Sequence, residues 1–182
     1  RDQLYKKLLD KIFLDKIKII NQNKKINKIL VINDWLLENI EKIKKEDKIV
    51  DFHPTTILER SKGTSDQFND IYSILLVYEN YDSFFINFDH NKNSYAFTFV
   101  KINNEWSIID PYNGLYFINN YSLASINDIK KNNFKILSLK NTNQEIFKFY
   151  DEEVSQNDLK LKIQEIFMNF DLNKLITSKS KF

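Results

Sequence analysis

The sequence predicts an α+β domain in which N-terminal helices pack on an antiparallel sheet. Three observations carry this. The first ~45 residues repeat apolar side chains at helical spacing. Residues 83–118 break into short strand-like runs, two of them joined by Asn103-Asn104. A last helical stripe runs from Leu159 to Phe170. At 182 residues the chain is long enough for one domain with a real core.

Arg1 to Ile20 sets Leu4, Leu8 and Ile12 beside Tyr5, Leu9 and Phe13, with Lys and Asp between. That is one greasy helical face. Asn21 to Asn27 is a polar break. Lys28 to Lys45 is helical again through Ile29, Ile32, Leu36, Ile40 and Ile43, and its EKIKKEDK run reads as a solvated helix end. Ile49 to Lys62 reads as extended loop, because Pro54 pushes His53 out of helix. Gly63 permits a tight turn or a close backbone approach. Thr64 with Gln67 fits a capping box opening a helix to about Val77, which buries Phe68, Ile71, Tyr72 and Leu75.

Ser83 to Asp89 reads as a strand and His90 to Asn93 as a turn. In the next strand, Ser94 to Ile102, Tyr95, Phe97 and Phe99 oppose Ala96, Thr98 and Val100, so both faces are expected to be at least partly covered. Asn103-Asn104 is a two-residue hairpin turn. Glu105 to Asp110 pairs back until Pro111, which cannot donate to a ladder. Gly114 turns the chain into Leu115 to Ile118, and Asn119 to Ser122 is loop. Ser125 to Lys131 suits a short helix, and Phe134 to Leu139 and Gln144 to Tyr150 suit strands. Ser155, with Asp158 three residues on, opens the last helix. Lys174 to Phe182 is expected to fray. The sheet should hold about four to six strands.

Composition excludes several functions. There is no cysteine, hence no disulfide, thiolate metal site or thiol nucleophile. Two isolated histidines and scattered carboxylates give no metal-ligand spacing. Two distant glycines build no phosphate loop, so no cofactor is expected. A net charge of +2 gives no general case for nucleic acid or a membrane surface. No apolar run approaches the ~20 residues of a membrane span. The chain starts at Arg1 with no visible signal peptide. We read it as a fragment or a processed form, with a cytoplasmic setting slightly favoured.

The stretch from Gly63 to Gly114 carries the one candidate site. It runs Gly63-Thr64-Ser65 at a helix start, Tyr95-Ala96-Phe97 on a strand, and Trp106 to Asp110-Pro111 on the next. This order resembles the core of the transglutaminase-like superfamily, relatives of the papain-like cysteine proteases. That family shows a Gly-x-Cys turn opening a helix, a His-Ala-aromatic strand and a Trp-x-x-x-Asp-Pro strand. The resemblance covers Gly63 to about Ser125. Length favours a single domain over residues 1–182, with the transglutaminase-like core at 63–125, and the flanking helices at 1–46 and 155–170 rest on periodicity alone. The resemblance implies a Cys, His, Asp triad for acyl transfer or amide hydrolysis. Here Ser65 stands at the Cys position, Tyr95 at the His position and Asp110 at the Asp position. Gly63, Gln67 and Trp106 flank them as binding residues, and His53 and His90 are the candidates for a replacement base.

The chemistry of that layout is plain. A helix N-terminus offers unpaired N–H groups and partial positive charge, which stabilise a thiolate. A serine hydroxyl there still needs a base. A tyrosine titrating near ~10 donates a hydrogen bond at neutral pH and does not remove protons. If Asn103-Asn104 is the turn, Ile102 faces Glu105 and Phe97 faces Asp110. Tyr95 is then a same-face diagonal neighbour of Asp110, about 7–8 Å away, and Asp110 could accept from its hydroxyl.

The expected function is therefore a catalytically degenerate domain kept as a binding or scaffolding module. Its partner would be an extended peptide, a glycan or a neighbouring protein domain. The alternative is an active acyl transferase or hydrolase using Ser65 with a base outside the family pattern. Two further readings stay open: Ser65 replacing a natural Cys, and a chance match. In the last case Ser65 is a first-turn residue, Tyr95 and Trp106 are core, and Asp110 is a turn residue.

Overall fold

A computed structural model describes residues 2–20, 24–43, 53–90, 93–140, 145–150, 152–172 and 174. In chain order the elements are α1 (Asp2–Ile20), α2 (Lys24–Asn39), β1 (Glu41–Lys42), α3 (Pro54–Arg60), β2 (Lys62–Gly63) and α4 (Ser65–Tyr78). Then come β3 (Ser83–His90), β4 (Asn93–Ile102), β5 (Glu105–Asp110), β6 (Leu115–Asn119) and β7 (Ser122–Leu123). The chain continues through α5 (Ile126–Lys130), β8 (Lys135–Ser138), β9 (Ile146–Phe149), β10 (Glu152–Ser155) and α6 (Gln156–Met168). The fold is α+β.

The central sheet has six antiparallel strands in the order β3-β4-β5-β6-β7, with β8 also on β6. It separates two apolar cores. On one face α1, α2 and α4 pack Tyr5, Leu9, Ile12, Ile32, Leu36, Phe68, Ile71 and Leu75 against Val100 and Ile109. On the other, α5, α6 and β9 pack Ile129, Leu159, Ile163, Phe167 and Phe147 against Tyr95, Phe97, Phe99 and Ile108. Alternation along β4 dictates this split: odd residues face α6 and even residues face α4. Phe167 wedges into the second core, 5.3 Å from Phe97 and 4.9 Å from Phe88 between ring centroids.

The hairpin forms as its residues require. Asn103 and Asn104 take φ of 50° and 66°, the left-handed values of a primed turn, and Ile102 pairs with Glu105. α4 opens on Thr64, and Gln67 Oε1 accepts from the Thr64 backbone N–H at 3.0 Å. Ser155 caps α6 by accepting from the Asp158 N–H at 3.2 Å. Gly63 sits in a close approach: a Cβ there would press on Ile57 Cγ2 and Phe68 Cδ2, each at 3.3 Å.

Three expectations need correction. The loop read over Ile49 to Lys62 contains α3: Pro54 takes the first helical position, where its missing N–H costs nothing, and Ile57 is buried. His53 itself stays extended as its N-cap, accepting from the Thr55 N–H at 3.2 Å. The second helix stops at Asn39 rather than Lys45. Glu41 and Lys42 leave it to pair in parallel with Lys62 and Gly63, bringing Gly63 to the floor under α4. Glu152–Ser155 forms a strand with β9 that sequence patterning did not suggest. The remainder of the EKIKKEDK run, residues 44–48, and most of the expected fraying tail, 175–182, lie outside the described residues. No helix among those described is long and apolar enough to cross a membrane.

Candidate active site

The site gathers where α4 begins and the β4–β5 ladder ends. Thr64 is the N-cap, so Ser65 is the first helical residue and its hydroxyl is not spent on capping. Asn69, one turn on and fully buried, fixes this end of the helix to the sheet. Its amide donates to the Ser65 carbonyl at 3.0 Å, and its Oδ1 accepts from Thr98 Oγ1 at 2.9 Å.

The Ser65 hydroxyl lies 3.1 Å from the hydroxyl of Tyr150. Tyr150 comes from the β9–β10 hairpin with φ of 56°, an unusual value for a bulky residue. The same hydroxyl accepts from the Ala96 N–H at 2.8 Å. Register explains that contact. Even residues of β4 turn their backbone groups toward β5, as the Ile102–Glu105 pair at the hairpin requires. The position facing Ala96 on that register is Pro111, which has left the ladder. Tyr150 supplies the acceptor the strand lacks there.

Asp110 closes the network from the other side. It is fully buried, and its two oxygens accept from the Asn113 backbone N–H at 3.0 Å and the Asn113 side-chain amide at 2.6 Å. Asn113 Oδ1 in turn accepts from the Tyr150 N–H at 2.8 Å. Ser65, Tyr150, Asn113 and Asp110 thus form one chain of contacts spanning α4, the β9–β10 turn and the end of β5. Desolvation raises the Asp110 carboxyl to about 6, against the pull of Asn113 and of Lys42 nearby. Burial lowers Lys42 despite Asp110, and its ammonium sits 5.0 Å from the Tyr112 ring centroid. Burial pushes Tyr150 well above its ordinary value, and the Asp110 charge adds to this. The group touching Ser65 therefore stays a neutral phenol near pH 7.

Tyr95 contributes a ring rather than a hydroxyl. It is 2% exposed, on the α6 face, stacked on Phe149 at 5.2 Å and edge-on to Tyr150 at 5.2 Å. The expected Tyr95–Asp110 hydrogen bond is not made, and the buried Tyr95 hydroxyl has the Lys162 ammonium as its charged neighbour. Lys162 lies over the ring, 5.2 Å from its centroid. Trp106 is half-buried in the same layer, edge-on to Phe84 at 5.0 Å and away from Ser65. Gln67 is turned to the cap of α4 and accepts from Arg60 at 2.7 Å. Neither histidine approaches Ser65: His53 caps α3, and His90 Nε2 faces Glu165 at 3.5 Å on α6. Among the described residues no cluster of His, Asp or Glu is placed to hold a metal.

Sequence reasoning missed Tyr150, Asn113, Asn69 and Lys42. Asn113 was findable, because Asp110-Pro111-Tyr112-Asn113-Gly114 reads as an Asx-type turn. Tyr150, 85 residues beyond Ser65, carries no local signal.

No protein-family model matches the chain, and no curated protein matches it. Among solved structures the chain is similar to one described as "a Putative Cysteine Protease from Cytophaga hutchinsonii", with a TM-score of 0.48 and 15% identity. The match takes in 74% of this chain and 47% of that one, so this chain spans about half of that protein's length.

Proposed function

We propose that the chain is a catalytically silent transglutaminase-like domain that serves as a binding or scaffolding module. The reading is supported by element order: a glycine turn, a helix opening at Ser65, and two paired strands ending in Asp110-Pro111. It is carried by one observation, the Tyr150 hydroxyl seated 3.1 Å from Ser65 Oγ. A hydroxyl nucleophile needs a neighbour that takes its proton. The phenol beside Ser65 has its pKa raised further from neutrality, so it holds Ser65 without activating it. Asp110, which would orient an imidazole, instead holds the Asn113 turn.

The test restores the family residues. In Ser65→Cys with Tyr95→His, the thiol is expected to titrate near its ordinary ~8.5, because Tyr150 still fills the space between them. Adding Tyr150→Ala should lower it by a unit or more, read as the pH profile of iodoacetamide alkylation. An ordinary thiol pKa in the triple variant, with native circular dichroism, would count against a transglutaminase-like ancestry for the site. A low pKa in the double variant would count against blockage by Tyr150.

A further inference from the structure

A second surface, away from Ser65, has the properties of a peptide site. β3 ends the order of the central sheet, with no described strand beyond it. It is eight residues long and regular, pairing with β4 from Ser83 to His90 without a bulge. The Lys101 N–H donates to the Asp82 carbonyl at 2.9 Å, which sets the alternation. Phe84, Ile86 and Phe88 spend their backbone groups on β4, whereas Ser83, Phe85, Asn87 and Asp89 turn theirs outward. An edge of this length is normally blunted by Pro, Lys or a bulge, and β3 has none of these.

Beside this edge, where α1, α3 and α4 overhang Ser83 to Phe85, lies a groove of about 740 Å³. Its wall is apolar through Ile74, Val77, Tyr78 and Phe85, and Val77 is 51% exposed. Its charges are acidic. The Asp2 carboxylate accepts from the Tyr78 hydroxyl at 2.6 Å. The half-buried Asp70 carboxylate has no hydrogen bond or ion pair among the described residues. Desolvation raises the Asp70 pKa, and nearby His53 opposes the rise. A carboxylate taken partly out of water, with the His53 imidazole nearby but no Lys or Arg among the groove's described residues, is a cost that an incoming cation relieves. The groove is thus acidic in a chain whose net charge is +2.

We infer that β3 takes up an extended peptide as an added strand, with a Lys or Arg of that peptide entering the groove toward Asp70 and Asp2. Backbone pairing along Ser83 to Asp89 supplies affinity, and the alternate side chains on the helix face supply choice. This surface stands whether or not Ser65 is silent.

The test uses the full chain and two fluorescein-labelled heptapeptides of alternating Val and Thr, one with a central Lys and one with a central Glu, read by fluorescence anisotropy. Saturable binding of the Lys peptide and none of the Glu peptide is expected. Asp70→Asn should weaken it about tenfold, the worth of one partly desolvated charge pair. Asn87→Pro should abolish it with the fold retained, because that N–H points off the sheet and proline is tolerated there. If that variant does not fold by circular dichroism, Asp89→Pro at the next outward position replaces it. Three results would overturn the inference: no binding of the Lys peptide, equal binding of both peptides, or binding indifferent to the proline. Self-association of the wild type that Asn87→Pro abolishes would give the edge to a second copy of the chain and equally contradict a peptide partner.

Discussion

The start of α4 and the outer edge of β3 are both places where a sheet's backbone groups run out of partners, and the molecule treats them in opposite ways. At the end of the β4–β5 ladder the spare Ala96 N–H is met by Tyr150, whose ring is partly buried and whose hydroxyl also contacts Ser65. At β3 the outward groups of Ser83, Phe85, Asn87 and Asp89 meet no described residue, and a groove opens beside them. The position a nucleophile would use is filled from within the chain, whereas a surface with no catalytic arrangement is left available. The binding role proposed above needs the second and has no use for an open version of the first.

The most damaging way to break this contrast is to empty the filled side. Tyr150→Ala removes a partly buried aromatic ring packed on Tyr95, Phe149 and Tyr112, together with the hydroxyl that meets the Ala96 N–H. It should cost about 3–5 kcal/mol in denaturant unfolding. A loss under about 1 kcal/mol would show that the ring does not close the site.

The next effect is electrostatic and has a definite sign. The Asp110 carboxyl sits at about 6 in the fold against an ordinary 3.8. Its protonated form therefore favours the folded state. That contribution is present below pH ~4 and is lost as pH rises through ~6, amounting to about 3 kcal/mol. The stability of the wild type relative to Asp110→Asn should fall by that order between those pH values. A flat difference would mean that Asp110 is not buried as described.

Tyr150→Phe sharpens the contrast by removing only the hydroxyl. It strands the Ala96 N–H and should cost about 1–3 kcal/mol. Smallest is Ser65→Ala. With Thr64 serving as the cap, losing one neutral hydroxyl contact should cost under about 1 kcal/mol and leave the Tm within a few degrees. A larger loss would give Ser65 a structural weight that the geometry does not.

Which parts were legible in the sequence follows the same division. α4, its capping box and the Asn103-Asn104 hairpin are local, since each depends on residues within four of one another, and all three form as read. The register fixed by that hairpin also put Phe97 opposite Asp110 and set the odd residues of β4 on one face. Two misreadings are of another kind. The effect of Pro54 on His53 is real, but it does not extend to the residues after it, where proline at the first helical position is tolerated; and apolar spacing carries the second helix past Asn39, where Glu41 and Lys42 turn to pair with Lys62 and Gly63. What could not be read was the partner of Ser65. Tyr150 reaches it through the β9–β10 turn, and nothing in Phe149-Tyr150-Asp151 distinguishes that tyrosine from the eight others. The Asp110 turn hides in plain view for a related reason: an Asp before Pro serves a triad or a turn equally well until its donors are assigned.

The central claim, that Ser65 is held and not activated, is tested most directly by exposing the chain to a fluorophosphonate probe at neutral pH and weighing it intact. A control hydrolase labelled in the same tube sets the scale. The account predicts no adduct on the chain while the control is fully labelled. A single stoichiometric adduct that maps to Ser65 and disappears in Ser65→Ala would contradict it, and would mean that a base reaches this hydroxyl despite Tyr150.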